Sequence, residues 1–271
     1  LVLEGSVPAE IEEEVIATSG ADENFTLPEE TAYERTPSSF DRTVEPPYGE
    51  SPEVTVPDVW TGSLDNGISI HGIENSELPL VQFQLKIDGG MMLDDPDKIG
   101  TANLMAEVMQ RGTADKTPEE LEEAIDELGA RINIYAGSES ITISGNTLAR
   151  NYAKTMALVT EMLLEPRWDA TEFELAKQST LSRIAAQSAN PNAIANITFN
   201  KLIYGKDNIL SNNPVGTSES VEVLTLDDLK TYYQDNLSPD LASFLVVGSV
   251  SSKEVTSSLS KLESEWQNKT V

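Results

Sequence analysis

Histidine, cysteine and clustered carboxylates are the side chains best suited to metal or nucleophile chemistry, and this sequence is nearly devoid of the first two. Its 271 residues include one histidine, His71, and no cysteine. That excludes a zinc site built on two imidazoles, a thiolate cluster and a cysteine nucleophile, and leaves a Ser-His-Asp triad one candidate base. Carboxylates abound: Asp and Glu number 46 against 18 Lys and Arg, a formal net charge of −28. Such a surface repels phosphate backbones and anionic lipid, so no nucleic-acid partner is expected. No apolar run approaches the ~20 residues of a bilayer span, so no membrane insertion is expected either.

The carboxylates that do cluster have simpler readings than catalysis. Asp94-Asp95-Pro96-Asp97-Lys98-Ile99-Gly100 has a faint calcium-loop spacing, but Ile99 and Ala106 stand where the fifth and twelfth ligands belong. It reads as a solvated turn capping the next helix. Glu119, Glu120, Glu122, Glu123, Asp126 and Glu127 are the solvated face of a helix whose inner stripe is Leu121, Ala124, Ile125 and Leu128. Gly89-Gly90 lacks the companions of a phosphate cradle and reads as a strand end. His71 closes a short strand with no acidic neighbour at ligand spacing, which makes it a surface residue.

The elements that hold these residues follow from hydrophobic periodicity. Leu64–Ile70 is expected to be a hairpin turning at Asn66-Gly67, where both residues tolerate positive φ. Leu80–Ile87 alternates as a half-buried strand, and Gly100–Gln110 forms a helix burying Leu104, Met105, Val108 and Met109. Thr117-Pro118-Glu119-Glu120 is a capping box opening a helix that ends at Gly129. Strands follow at 131–135 and 140–146, helices at 149–164, 170–188, 192–204 and 226–236, a strand at 241–247 and a last helix at 251–266. Strand pairs separated by helices, without regular βαβ alternation, predict an α+β fold: an antiparallel sheet with helices packed mainly on one face. Residues 1–55 are acidic and proline-containing, with only Ile11–Ile16 resembling a turn of structure, so they are expected to be a linker or extended arm. Residues 56–271 are expected to be a single domain. The start at Leu1 rather than Met predicts a piece of a longer polypeptide. Acidity without cysteine slightly favours an extracytoplasmic setting over a cytoplasmic one.

Several strings, in order, resemble one segment of the pitrilysin/insulinase family of zinc metallopeptidases, which includes the mitochondrial processing peptidases. They are Leu85–Gly90, Gly100–Thr113, Leu128-Gly129-Ala130, Glu161–Pro166, Leu202–Gly205, Gly216–Val221, Leu224–Tyr233 and Val246–Val250. The resemblance spans most of residues 57–268. It implies that the helix after Gly100 is the one that carries the inverted zinc motif H-x-x-E-H in active members. Aligned without gaps, the first ligand position is Asn103, the glutamate position is Ala106 and the second ligand position is Glu107. The family's third ligand, a glutamate on a later helix, falls at or beside Arg183. No catalytic residue and no metal ligand is therefore assigned.

The resemblance implies the first domain of a degenerate half, with zinc expected only in a catalytic partner half. That half would be part of the same chain or a separate subunit, and the two would enclose a peptide substrate in a shared chamber. An acidic wall would favour basic or extended peptides. The expected surfaces are the degenerate helix and the adjacent sheet edge, where a peptide could add as a strand. The alternative is a stand-alone peptide-binding or structural assembly module that has left proteolysis. An H-x-x-E-H upstream, or in an adjacent reading frame, would separate the two.

Overall fold

The computed structural model describes residues 38–41, 43–45, 48–49, 53 and 56–269. Most of the expected arm over residues 1–55, including Ile11–Ile16, lies outside them. From residue 56 onward the chain folds as one compact unit. It runs β1 (Trp60–Ser63), β2 (Ser69–Glu74), β3 (Leu80–Asp88), α1 (Thr101–Val108), α2 (Pro118–Glu127), β4 (Arg131–Ala136) and β5 (Ser140–Leu148). Four helices follow: α3 (Tyr152–Leu164), α4 (Ala170–Gln187), α5 (Pro191–Tyr204) and α6 (Ser218–Glu222). Then come α7 (Leu226–Asn236), β6 (Ala242–Gly248), α8 (Ser252–Ser258) and α9 (Ser260–Glu265). Among the described residues no helix is long and apolar enough to cross a membrane.

Period-two alternation decides which face of the sheet is covered. Val81, Phe83, Leu85 and Ile87 of β3 are buried, whereas Gln82, Gln84 and Lys86 face the open side. Ile141 and Ile143 of β5 and Phe244 and Val246 of β6 extend the same buried face. Leu104, Met105 and Val108 of α1 and Met156, Val159 and Met162 of α3 belong to the same core. Each such side chain is worth about 1.5–3 kcal/mol of transfer free energy. Phe83 faces Gly145 across the β3–β5 pair, and a Cβ at 145 would lie 2.6 Å from its ring, so a glycine makes room for the aromatic.

The sheet order is β1-β2-β6-β3-β5-β4. The expected α+β class stands, but the sheet is mixed rather than wholly antiparallel, because β6 enters between β2 and β3 and pairs with β2 in parallel. The hairpin at Asn66-Gly67 is also wider than a two-residue turn. Leu64 N–H donates to the Ile68 carbonyl at 2.9 Å and Gly67 N–H to the Leu64 carbonyl at 3.0 Å, so three residues, 65–67, form the loop, with positive φ at Gly67 and not at Asn66. Asn66 instead donates to the carbonyls of Leu262 and Trp266. The last expected helix is two helices, broken at Leu259.

The turn before α1 caps that helix, as the sequence predicts, but it does so from the interior. Asp94 is buried, and its two carboxylate oxygens accept from the backbone N–H of Gly100 at 2.8 Å and of Ala102 at 3.0 Å. Burial pushes its pKa up from 3.8 to about 6, against the opposing pull of those N–H donors. A raised carboxyl value means that the folded state holds the proton more tightly than the unfolded chain. The associated stability is present below about pH 4 and is lost as pH rises through about 6, a change of about 3 kcal/mol. The stability of wild type relative to Asp94→Asn is therefore expected to fall by that order as pH is raised across this window. Urea unfolding of both proteins at each end of the window reads the difference.

Candidate functional site

Two helices bring three of the four singled-out positions together. On α1, Asn103 and Glu107 lie one turn apart on one face, and Arg111 follows four residues later, just past the end of the helix. On α4, Phe173, Ala176, Thr180 and Arg183 form a stripe at helical spacing, of which the first three are buried. Asp169 caps α4 by accepting from the N–H of Thr171 and Glu172, at 2.8 and 3.1 Å. The stripe on α4 continues to Arg183, whose Nη2 donates to Asn103 Oδ1 at 3.2 Å, to Glu107 Oε2 at 3.2 Å and to Thr180 Oγ1 at 3.3 Å.

Glu107 lies between two cations. Thr180 Oγ1 also donates to Glu107 Oε2 at 3.3 Å, while Arg111 approaches Glu107 Oε1 at 3.6 Å and Glu172 at 3.8 Å. The Arg183 side chain is 46% exposed, so its ion pair with Glu107 is worth no more than about 1 kcal/mol of stability. Its main effect is electrostatic: it places a fixed positive charge between the Asn103 and Glu107 oxygens. Ala106, the fourth position, does not join the group and is buried in the core at 1% exposure.

These residues do not fit zinc. Zinc takes imidazole, thiolate or carboxylate donors. Here the donors are one neutral amide and one carboxylate already compensated by two guanidiniums, with a cation at the point where they converge. Among the described residues, no group of three or more His, Cys, Asp or Glu is placed to hold a metal. His71 is exposed on β2, and the α2 carboxylates form a solvated face, both as expected. A groove of about 920 Å³ lies elsewhere, lined by residues of α3, α8 and α9 such as Tyr152, Thr160, Ser257 and Lys261.

Three participants escape the sequence reading. Arg111 could have been found from its four-residue spacing to Glu107, and Thr180 from its three-residue spacing to Arg183. The third, Gln110, leaves no local signal. Its side-chain amide donates to the carbonyl of Ile134 at 2.8 Å and accepts from the Ile134 N–H at 3.0 Å. The same nitrogen reaches the Ala106 carbonyl at 3.1 Å. Ile134 is the middle of β4, the last strand of the sheet. Its outward backbone pair, the one an added peptide strand would use, is already engaged.

A six-stranded sheet covered by helices on one face, with α1 packed against its β4 edge and α4 against α1, defines an α+β domain. The chain belongs to the insulinase family, peptidase family M16, whose model matches residues 72–209. Residues 224–270 match the peptidase M16 inactive domain. Curated relatives include the non-peptidase homolog YmxG of Helicobacter pylori, 24% identical over 160 residues, which are 59% of this chain and 37% of that protein. The uncharacterized zinc protease YmxG of Bacillus subtilis is 23% identical over 189 residues, 70% of this chain and 46% of that one. This chain thus spans less than half the length of these relatives. Among solved structures, a peptidase M16 inactive domain from Pseudomonas fluorescens aligns with a TM-score of 0.74 at 21% identity, over 79% of this chain and 52% of that one. The first half of the periplasmic protease PqqL from Escherichia coli aligns at 0.71 and 20% identity, over 80% and 49%. Similarity at this level of identity establishes the fold.

Proposed function

We propose that this chain is a metal-ligand-deficient domain of an insulinase-type protein, which packs against a zinc-bearing catalytic half and helps enclose a peptide. The carrying observation is the Arg183 guanidinium seated between Asn103 and Glu107. In this reading Asn103, Ala106, Glu107 and Arg183 are the positions of a lost zinc site, and residues 1–55 are a linker or arm leading into the domain at 56–271. The catalytic half belongs to the same polypeptide or to a second subunit, and zinc resides there alone. The inactive-domain match and a relative described as a non-peptidase homolog support this reading. An extracytoplasmic setting is supported by a structural neighbour described as periplasmic.

An inert wall can still serve peptide hydrolysis, by excluding water and by supplying binding energy remote from the scissile bond. Strand addition at β4 is not the mode of contact in this reading, because Gln110 already engages Ile134. Metal analysis of the purified chain after incubation with one equivalent of zinc is expected to find well under about 0.1 equivalent bound. Stoichiometric zinc, with peptide cleavage abolished by a chelator, would overturn the reading.

A further inference from the structure

Helix α3 has an outward stripe that the core does not use. Ala153 and Ala157, four residues apart on one face, are exposed, and they line the groove of about 920 Å³ whose other wall is α8 and α9. Sites for small ligands enclose about 300–1,000 Å³. The two ends of this groove differ in charge. Where α3 begins, Arg150 and Lys253 are exposed at the rim, and among the described residues neither has an ion-pair partner. Lys253 adjoins Glu254, whose charge reaches Tyr152, the first residue of α3. Glu254 itself is engaged by the Ser251 N–H and hydroxyl, at 2.9 and 2.6 Å. Asn151 gives its side chain to the Leu128 carbonyl at 2.8 Å, so it does not cap the first N–H groups of α3.

Where α3 ends, the lining is Asp115, Glu161 and Glu165. Lys116 pairs with Glu161 and Lys261 with Glu165, each at 2.8 Å. Asp115 follows Ala114, whose N–H donates to the Glu165 carbonyl at 2.7 Å, and among the described residues it has no ion-pair partner. Between the two ends lies Thr160, 1% exposed, whose Oγ1 has no hydrogen-bond partner in the protein. Buried hydroxyls are nearly always bonded, so this one marks a place for a polar atom from outside the chain.

We propose that this groove binds a short peptide with both ends free, its carboxylate against Arg150 and Lys253 and its ammonium against Asp115. The helix sets the same polarity, since its N-terminal end carries partial positive charge and its C-terminal end partial negative charge. The 13 residues of α3 at about 1.5 Å each span about 20 Å, which an extended peptide of about six residues matches at about 3.3 Å each. The alanine floor lets such a backbone approach the helix, where Thr160 exchanges a hydrogen bond with one of its amides. A net charge of −28 turns carboxylates away from most of the surface, so the two unpaired cations select the end at which one enters. This inference is independent of the zinc reading.

Calorimetric titration of the full chain with hexaalanine, both ends free, at low salt is expected to give a Kd below about 100 µM. Amidation of its C-terminus and acetylation of its N-terminus are each expected to weaken binding at least about tenfold, since each removes a charge-assisted contact. Arg150→Gln with Lys253→Gln is expected to weaken the free peptide by a similar factor and to leave the amidated one unaffected. Thr160→Val is expected to raise the unfolding midpoint, by removing an unbonded buried hydroxyl, and at the same time to lower peptide affinity. A purely structural Thr160 would move the first and not the second. Absence of binding at about 1 mM hexaalanine overturns the proposal. Affinity that survives the blocking of either end also overturns it.

Discussion

Asn103→His, Glu107→His and Arg183→Glu, combined in one protein, are expected to create a zinc site with a Kd below about 1 µM, where the wild type binds none at about 100 µM. That is at least a hundredfold gain, about 2.7 kcal/mol or more. The geometry supports it. Asn103 and Glu107 are one turn apart on α1, and a single Arg183 nitrogen lies 3.2 Å from the oxygen of each, so three side chains already converge on one point. The substitutions replace a cation with a carboxylate at that point and bring two imidazoles to about 2.0–2.1 Å from a bound ion. The cost in stability is small, because the ion pair being removed is half-exposed. Calorimetric titration measures the binding, and bound zinc should raise the unfolding midpoint. No peptide hydrolysis should accompany it, because Ala106 supplies no carboxylate to activate water. A folded triple variant that ignores zinc would show that α1 and α4 do not hold the ligand geometry.

Gly216→Ala is expected to lower stability by about 3 kcal/mol, or about 6–12 °C in midpoint. Gly216 has φ +87°, and a Cβ there would lie 2.3 Å from the Ile99 carbonyl oxygen and 3.0 Å from Val221 Cγ2. The turn at 213–217 would have to retreat from the residues that lead into α1. That movement breaks the 2.7 Å bond from Ser220 Oγ to the Ile99 carbonyl and loosens the fully buried Val221. Gly205→Ala is the control. Its φ is +85°, yet nothing lies within 4 Å of the Cβ position, so it should cost backbone strain alone, on the order of 1–2 kcal/mol. Equal losses in the two variants would show that the approach to Ile99 carries no weight.

Local chemistry was the legible part of this fold. The Thr117 capping box forms as written, with Glu120 N–H donating to Thr117 Oγ1 and Thr117 N–H donating to Glu120. The alternation of β3 correctly names its buried side. These features depend on residues within a few positions of one another. The parallel pairing of β6 with β2 joins segments about 170 positions apart, and nothing in either strand encodes its neighbour. The hairpin turns at Asn66-Gly67 as read, but over three residues, because only Gly67 takes positive φ and the two-residue turn needs it at both positions. At the site, composition sufficed to remove a two-imidazole centre. That Arg183 reaches both Asn103 and Glu107 depends on how α4 lies against α1, which no sequence spacing reveals.

The hold of Gln110 on Ile134 bears on how the molecule behaves in a crowd of its own kind. A terminal strand with free outward amides is a template on which like chains stack into fibres. Here one glutamine from the turn that follows α1 plays the part of the next strand for a single residue, which interrupts the ladder at its midpoint. The protein thus carries its own chain terminator, made from a side chain rather than from a proline or a surface lysine.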